Sequence, residues 1–261
     1  MKTKLLAIAG LALLFSFGFT ACEEEEVPTY ALTLTVSPEN AGTVIGAGDY
    51  EEGEVVALTA TATAGFLFVN WTNGTTVVSE DADYEYTTTA EDVTLTANFD
   101  AKNIAKLGAQ DNVDFGSFLS VSEKAVYFQG PASENQDKID ILCFYEAETG
   151  NNIALAAPGS NITGIFEGAS SPDFWTTKNQ TYFTMPTSEI TIEQFDALRD
   201  GDAAIETYYN AEQTTGNKKS KDLQVGNIRT FKTQSGTFGI YKVLSVEQGA
   251  TGYVEFEYRL K

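Results

Sequence analysis

Between Tyr253 and Leu260 the chain alternates strictly, with Val254, Phe256, Tyr258 and Leu260 on one side and Glu255, Glu257, Arg259 and, one position on, Lys261 on the other. A two-residue period is the mark of a strand with one face in a core and one in water. The same period returns in YALTLTV (Leu32, Leu34, Val36), in EVVALTATAT (Val56, Leu58, Ala60, Ala62) and in VTLTANF (Val93, Leu95, Ala97, Phe99). Gly65, Asn73 with Gly74, and Asp81 to Asp83 supply turns between these runs. Such strands must pack face to face or against helices. With 261 residues, 43% of them apolar and 12% aromatic, the chain can fill one large core or two modest ones.

From Ala101 the pattern changes. VDFGSFLSV, KAVYFQG and KIDILCFYE read as successive strands up to Glu146, and 150–171 reads as a long connection rich in Gly, Ala, Asn and Ser. ITIEQFDALRDG then predicts a helix. Thr191 is its N-cap, Gln194 completes a capping box, Ile190 and Phe195 form a hydrophobic staple, and Gly201 ends it. Asp202 is expected to cap a second short helix through Tyr209, and strands near 228–233, 238–246 and 253–260 finish the chain. The fold expected is mainly β: a small all-β module at 30–100, then an α+β domain at 101–261 with a largely antiparallel sheet and a short helical insert.

The N-terminus carries Lys2 and Lys4, an apolar run from Leu5 to Phe19, then Thr20, Ala21, Cys22 and four glutamates. The run falls short of the roughly 20 residues of a membrane span and has the charged flank of an export signal, so residues 1–21 are read as a cleaved signal peptide. Phe19 to Cys22 resemble the lipobox of bacterial lipoproteins, with Phe19 where that family usually has Leu. The resemblance implies lipid on Cys22 as the membrane attachment; an ordinary secretory signal is the alternative. Two or more acyl chains anchor a protein stably, at about 0.8 kcal/mol per buried CH₂. Residues 22–29 are then the lipidated cysteine and an acidic linker. Glu23, Glu24, Glu25 and Glu26 resemble the export signal of Bacteroidota surface lipoproteins, which implies the outer leaflet of the outer membrane; a plain solvated spacer is the alternative.

Within 30–100, the run from Tyr50 to Thr72 with the terminal LTANF resembles the divergent internalin-B-type repeat. Gly53, Glu54, Leu58, Thr59, Ala60, Gly65, Phe66, Phe68 and Trp71 carry the likeness, while Ala62 and Phe66 stand where that family often has Pro and Tyr. The resemblance implies a stalk or adhesive spacer at a cell surface, with Trp71 in its core. FKTQSGTFGIYKV and GAQDNVDFGSFLS are similar to a domain of uncharacterised Bacteroidota lipoproteins, which implies no activity.

The formal net charge is −21, and removal of residues 1–21 leaves 14 basic and 37 acidic residues, a net charge of −23. That field disfavours nucleic acid and anionic lipid head groups. There is no histidine, which excludes histidine-based triads and zinc sites. Cys143, the one cysteine left after lipidation, reads as a buried free thiol. The pairs Asp81/Asp83, Asp111/Asp114, Asp137/Asp140 and Asp200/Asp202 lack the spacing of a calcium loop and read as solvated surface or, for the last, helix ends. No metal, cofactor or catalytic residue is expected. The segment SSPDFWTTKNQTYF is the candidate ligand surface, with Phe174, Trp175, Lys178, Asn179 and Tyr182 offering flat apolar faces beside polar groups; packing of its aromatics into the core is the alternative. The function expected is non-catalytic binding or adhesion to a glycan or protein partner. A glycan hydrolase using paired carboxylates and a structural envelope component are the alternatives.

Overall fold

The computed structural model describes residues 27–184, 190–211 and 217–261; Cys22 and Glu23 to Glu26 lie outside them. The chain divides into two compact units, the first ending at Phe99 and the second running from Asp100, with Ala64–Leu67 belonging to the second. Three helices accompany eighteen strands among the described residues.

In the first unit, β1 (Thr29–Ser37), β2 (Gly42–Ile45), β3 (Gly48–Glu51), β4 (Val55–Ala62), β5 (Phe66–Asn73), β6 (Thr76–Ser79), β7 (Asp83–Thr87) and β8 (Val93–Ala101) make two sheets. Their orders are β3-β1-β8-β5-β6 and β2-β4-β7. β1 and β8 run parallel, with Leu34 opposite Leu95, and the remaining registered pairs are antiparallel. The two-residue period survives in three dimensions: Leu32, Val56, Leu58, Ala60, Val93, Leu95, Ala97 and Phe99 are buried, while Thr33, Thr35 and Thr94 face out. Trp71 is 0% exposed, its ring 6.0 Å from that of Phe68, and its Nε1–H donates to the Ala82 carbonyl at 3.3 Å. Burying an indole requires such a partner, so Trp71 is a core residue. Gly42 is needed because a Cβ there would stand 2.3 Å from Phe99 Cζ. Residues 27–99 carry eleven Asp and Glu and no Lys or Arg.

The second unit contains β9 (Asn103–Gly108), β10 (Phe118–Ser120), β11 (Ala125–Tyr127), β12 (Ile141–Glu146), β13 (Asn152–Ala156), β14 (Tyr182–Phe183), β15 (Lys219–Ser220), β16 (Ile228–Lys232), β17 (Phe238–Glu247) and β18 (Tyr253–Leu260). They form two five-stranded sheets, β11-β10-β12-β13-β15 and β14-β16-β17-β18-β9, antiparallel throughout their registered pairs. One face of each meets the other in the main core, where Ile141, Cys143, Ile153 and Leu155 of the first sheet pack with Phe231, Tyr241, Val254 and Phe256 of the second. Burial pushes the Cys143 thiol far above its ordinary range, which holds it protonated and unreactive.

Each sheet is also covered on its outer side. Phe118, Leu142, Phe144 and Ala154 of the first pack under Ile162, Phe166 and Trp175. Ile228 and Ile240 of the second pack under Ile190, Phe195, Leu198 and Ile205, from the segment holding α2 (Ile192–Ala197) and α3 (Ala203–Ala211). The remaining helix, α1 (Gln129–Glu134), follows β11. β13 falls inside the stretch read from sequence as a connection: IALAA has no polar face because both its faces are buried, and so shows no alternation.

Double coverage also changes β18. The middle of its polar face does not meet water: Glu257 is 2% and Arg259 1% exposed. Arg259 pairs with Glu257 through Nη2, donates from Nε to the Leu198 carbonyl at 3.1 Å, and lies 5.1 Å from the Phe195 ring centroid. A buried pair of this kind survives because hydrogen bonds occupy it on several sides. The capping box of Thr191 and Gln194 forms as the sequence indicates, but α2 stops at Ala197, short of Gly201. Its terminal carbonyls are taken by arginines, those of Asp196, Ala197 and Leu198 accepting from Arg199 Nη1. The Asp202 carboxylate accepts the Arg199 N–H at 3.1 Å.

Candidate functional site

The segment 176–181 is fastened to two neighbours, and a cleft opens where they meet. On one side, Gln136 Oε1 accepts the N–H groups of Thr176 and Thr177 at 2.9 and 3.0 Å. Asn179 Nδ2 donates to the carbonyls of Asp137 and Ile139 at 2.8 and 2.9 Å, and Thr181 Oγ1 donates to the Asp140 carbonyl at 2.7 Å. On the other side, Gln234 Oε1 accepts the Gln180 N–H at 2.9 Å. Gln234 and Ser235 sit in the turn joining β16 to β17, which Gly236 allows by taking φ +97°.

The cleft measures about 310 Å³. Asp137, Lys138 and Asp140 line it from the approach to β12, Asn179 from the fastened segment, Gln234 and Ser235 from the turn, and Ser122 from the end of β10. Asp140 is 7% exposed, and Oδ2 accepts the Val121 N–H at 3.0 Å. Burial pushes its pKa up to about 6, with the Val121 N–H opposing that rise. Lys138 is paired with Glu123 at 2.8 Å, and Glu123 also accepts from Tyr127, so both the lysine and the glutamate are held more firmly in their charged forms. The walls therefore offer amides, hydroxyls, carboxylates and one cation.

The residues singled out from sequence divide sharply. Phe174 is 70% exposed. Trp175 is buried, 5.3 Å from the Phe118 ring, and its Nε1–H donates to the Ser170 carbonyl at 2.9 Å, so it closes the core and offers no platform. Lys178 donates to the Asp173 carbonyl at 3.1 Å, and Tyr182 is half-buried in β14 opposite Lys232. Only Asn179 of the five lines the cleft, and it is buried, its amide spent on backbone carbonyls.

Asp140 corrects the surface reading of the acidic pairs, because an aspartate set between Ile139 and Ile141 at the mouth of a two-faced buried strand follows the strand inward. That apolar bracket was the signal available. Asp200 is likewise structural: it accepts from Asn103, Lys124 and the Leu260 N–H, and these lower its pKa in spite of burial. Among the described residues no group of three or more His, Cys, Asp or Glu could hold a metal ion, and no helix is long and apolar enough to cross a membrane.

None of the curated proteins compared matches the chain. Among solved structures, a DUF4466 family protein from Parabacteroides merdae ATCC 43184 aligns over 89% of this chain and 82% of that one, at 10% identity and a TM-score of 0.40. Residues 32–103, which include the positions Gly53 to Trp71 and Leu95 to Phe99 that carried the resemblance, match the family described as the divergent InlB B-repeat domain.

Proposed function

We propose that the chain is a lipid-anchored protein of an outer-membrane surface, held through Cys22, whose repeat module spaces a second unit that binds a glycan without turning it over. The cleft beside Asn179 carries the reading, since the Asp137 carboxylate, Asp140 Oδ1 and the Gln234 side-chain amide N–H groups, on residues lining it, match the donors and acceptors of sugar hydroxyls. The exposed Phe174, on the same chain segment, supplies an apolar face of the kind sugars stack on. The repeat match supports the spacer role, and the sequence around Cys22 supports the anchor.

A glycan array probed with the full chain tests the binding. Hits that weaken at least ten-fold in Ser235→Tyr, which blocks the cleft mouth, are expected; hits indifferent to that variant refute the site. Mass spectrometry of the native N-terminal peptide and protease shaving of intact cells test the anchor and its leaflet. A second reading, glycan hydrolysis, is favoured by the raised pKa of Asp140 beside Asp137, the state a general acid needs near neutral pH. Release of reducing ends that disappears in Asp140→Asn would establish it in place of binding alone.

A further inference from the structure

A second opening adjoins the first. The Gly159 N–H donates to the Asn179 carbonyl at 3.0 Å, Gly159 lining one cleft and Asn179 the other. The Gln180 amide lies directly against Gly159, where a Cβ would stand 1.8 Å from its Nε2, so these two residues separate the openings. The second cleft also measures about 310 Å³, at the low end of the roughly 300 to 1,000 Å³ of ligand pockets, and Ser160, Asn161, Asn217, Lys218, Lys219 and Lys221 line it.

Three cations within four residues are unusual in a chain so acidic. Ser220 of β15 faces inward, sharing a hydrogen bond of 2.6 Å with the Tyr241 hydroxyl and accepting from Arg229, which sets Lys219 and Lys221 on the opposite side, and Lys218, just before the strand, lines the same opening. Lys219 is fixed in the wall, donating to the Asn161 carbonyl with its Nζ 5.3 Å from the Phe144 ring centroid. Burial, with Lys221 adding to it, lowers its pKa. None of the three lysines forms an ion pair within 4 Å among the described residues. Glu146 is the described carboxylate whose charge acts on Lys219 and Lys221, and it is also held by Thr149 and Asn151. Three cations facing one carboxylate leave a net positive charge, and an anion placed among them relieves their mutual repulsion.

We infer that this lysine cleft is an anion subsite and that, on the reading of the neighbouring cleft as a sugar site, the ligand is an acidic glycan whose carboxylate or sulfate sits on Lys218 and Lys221. Its uncharged hydroxyls lie across the Gly159 wall in the cleft of Asp137 and Gln234. Both lysines are outside the core, so replacing them leaves the fold intact.

Calorimetric titration of the full chain in detergent with hyaluronan hexasaccharide, which is acidic, and chitohexaose, which is neutral, tests this. At about 50 mM salt the acidic sugar is expected to bind about ten-fold tighter, and the gap to close near 300 mM as screening sets in. Lys218→Gln/Lys221→Gln abolishes the gap and leaves chitohexaose unchanged, while the control Lys106→Gln/Lys124→Gln keeps it. Equal affinities, or a gap that survives in the double variant, overturn the subsite. Lysine-dependent hyaluronan binding with no chitohexaose binding and no effect of Ser235→Tyr overturns the neutral cleft and keeps the anion site; binding of neither sugar overturns both.

Discussion

Replacing Asp140 by asparagine removes a charge that the fold holds out of water while keeping the oxygen that accepts the Val121 N–H. The carboxyl titrates near 6 in the folded state against an ordinary 3.8, so folding favours its protonated form. The contribution of Asp140 is then most favourable below the unfolded value and is lost as pH rises through the folded one. At about 1.4 kcal/mol per pH unit, the ionised carboxylate costs about 3 kcal/mol at pH 7.5 and about 1 kcal/mol at pH 4.5. Asparagine carries no such dependence, and any cost of fitting its amide is the same at both pH values. The stability of Asp140→Asn relative to the wild type should therefore rise by about 2 kcal/mol between pH 4.5 and 7.5. Urea unfolding of both proteins at both pH values measures this. A difference that does not change with pH would refute the argument that burial, and not the local hydrogen bond, governs Asp140.

Three further outcomes are expected. Trp71→Ala empties the centre of the first unit and should cost about 3 to 5 kcal/mol, seen by calorimetry as a lowered transition of that module. Arg259→Met leaves Glu257 buried with only Lys102, 3.5 Å away, as a charge partner, and should cost about 3 to 5 kcal/mol. The double change Glu257→Gln/Arg259→Met should recover most of that loss in the same denaturation assay. Thr191→Ala removes the capping hydroxyl from the Gln194 N–H and should cost about 0.5 to 2 kcal/mol by urea unfolding.

Elements that keep one face in water were legible in the sequence. The strands ending at Phe99 and the capping box of Thr191 needed only local patterns, because a solvated face enforces alternation and a free helix end enforces a cap. The misses share one cause. β13 and the inward Glu257 and Arg259 lie where a layer from another segment covers a second face, and no pattern within a strand records what is laid over it. The candidate ligand segment was legible as a place more than as a set of contacts: it does border the first cleft, but its tryptophan had been recruited to cover Phe118, and the polar groups facing the opening come from Ser122, Asp137, Asp140 and the turn at Gln234.

The cation-free composition of the β1–β8 module has a consequence for its proteolysis. Trypsin-like proteases cut only after lysine or arginine, and from Lys4 the next such residue is Lys102. The stretch from β1 to β8 therefore offers these enzymes no bond to hydrolyse, folded or unfolded. A module of this composition outlasts digestion that would sever a lysine-bearing segment, so its resistance lies in what it is made of and persists even when its core opens.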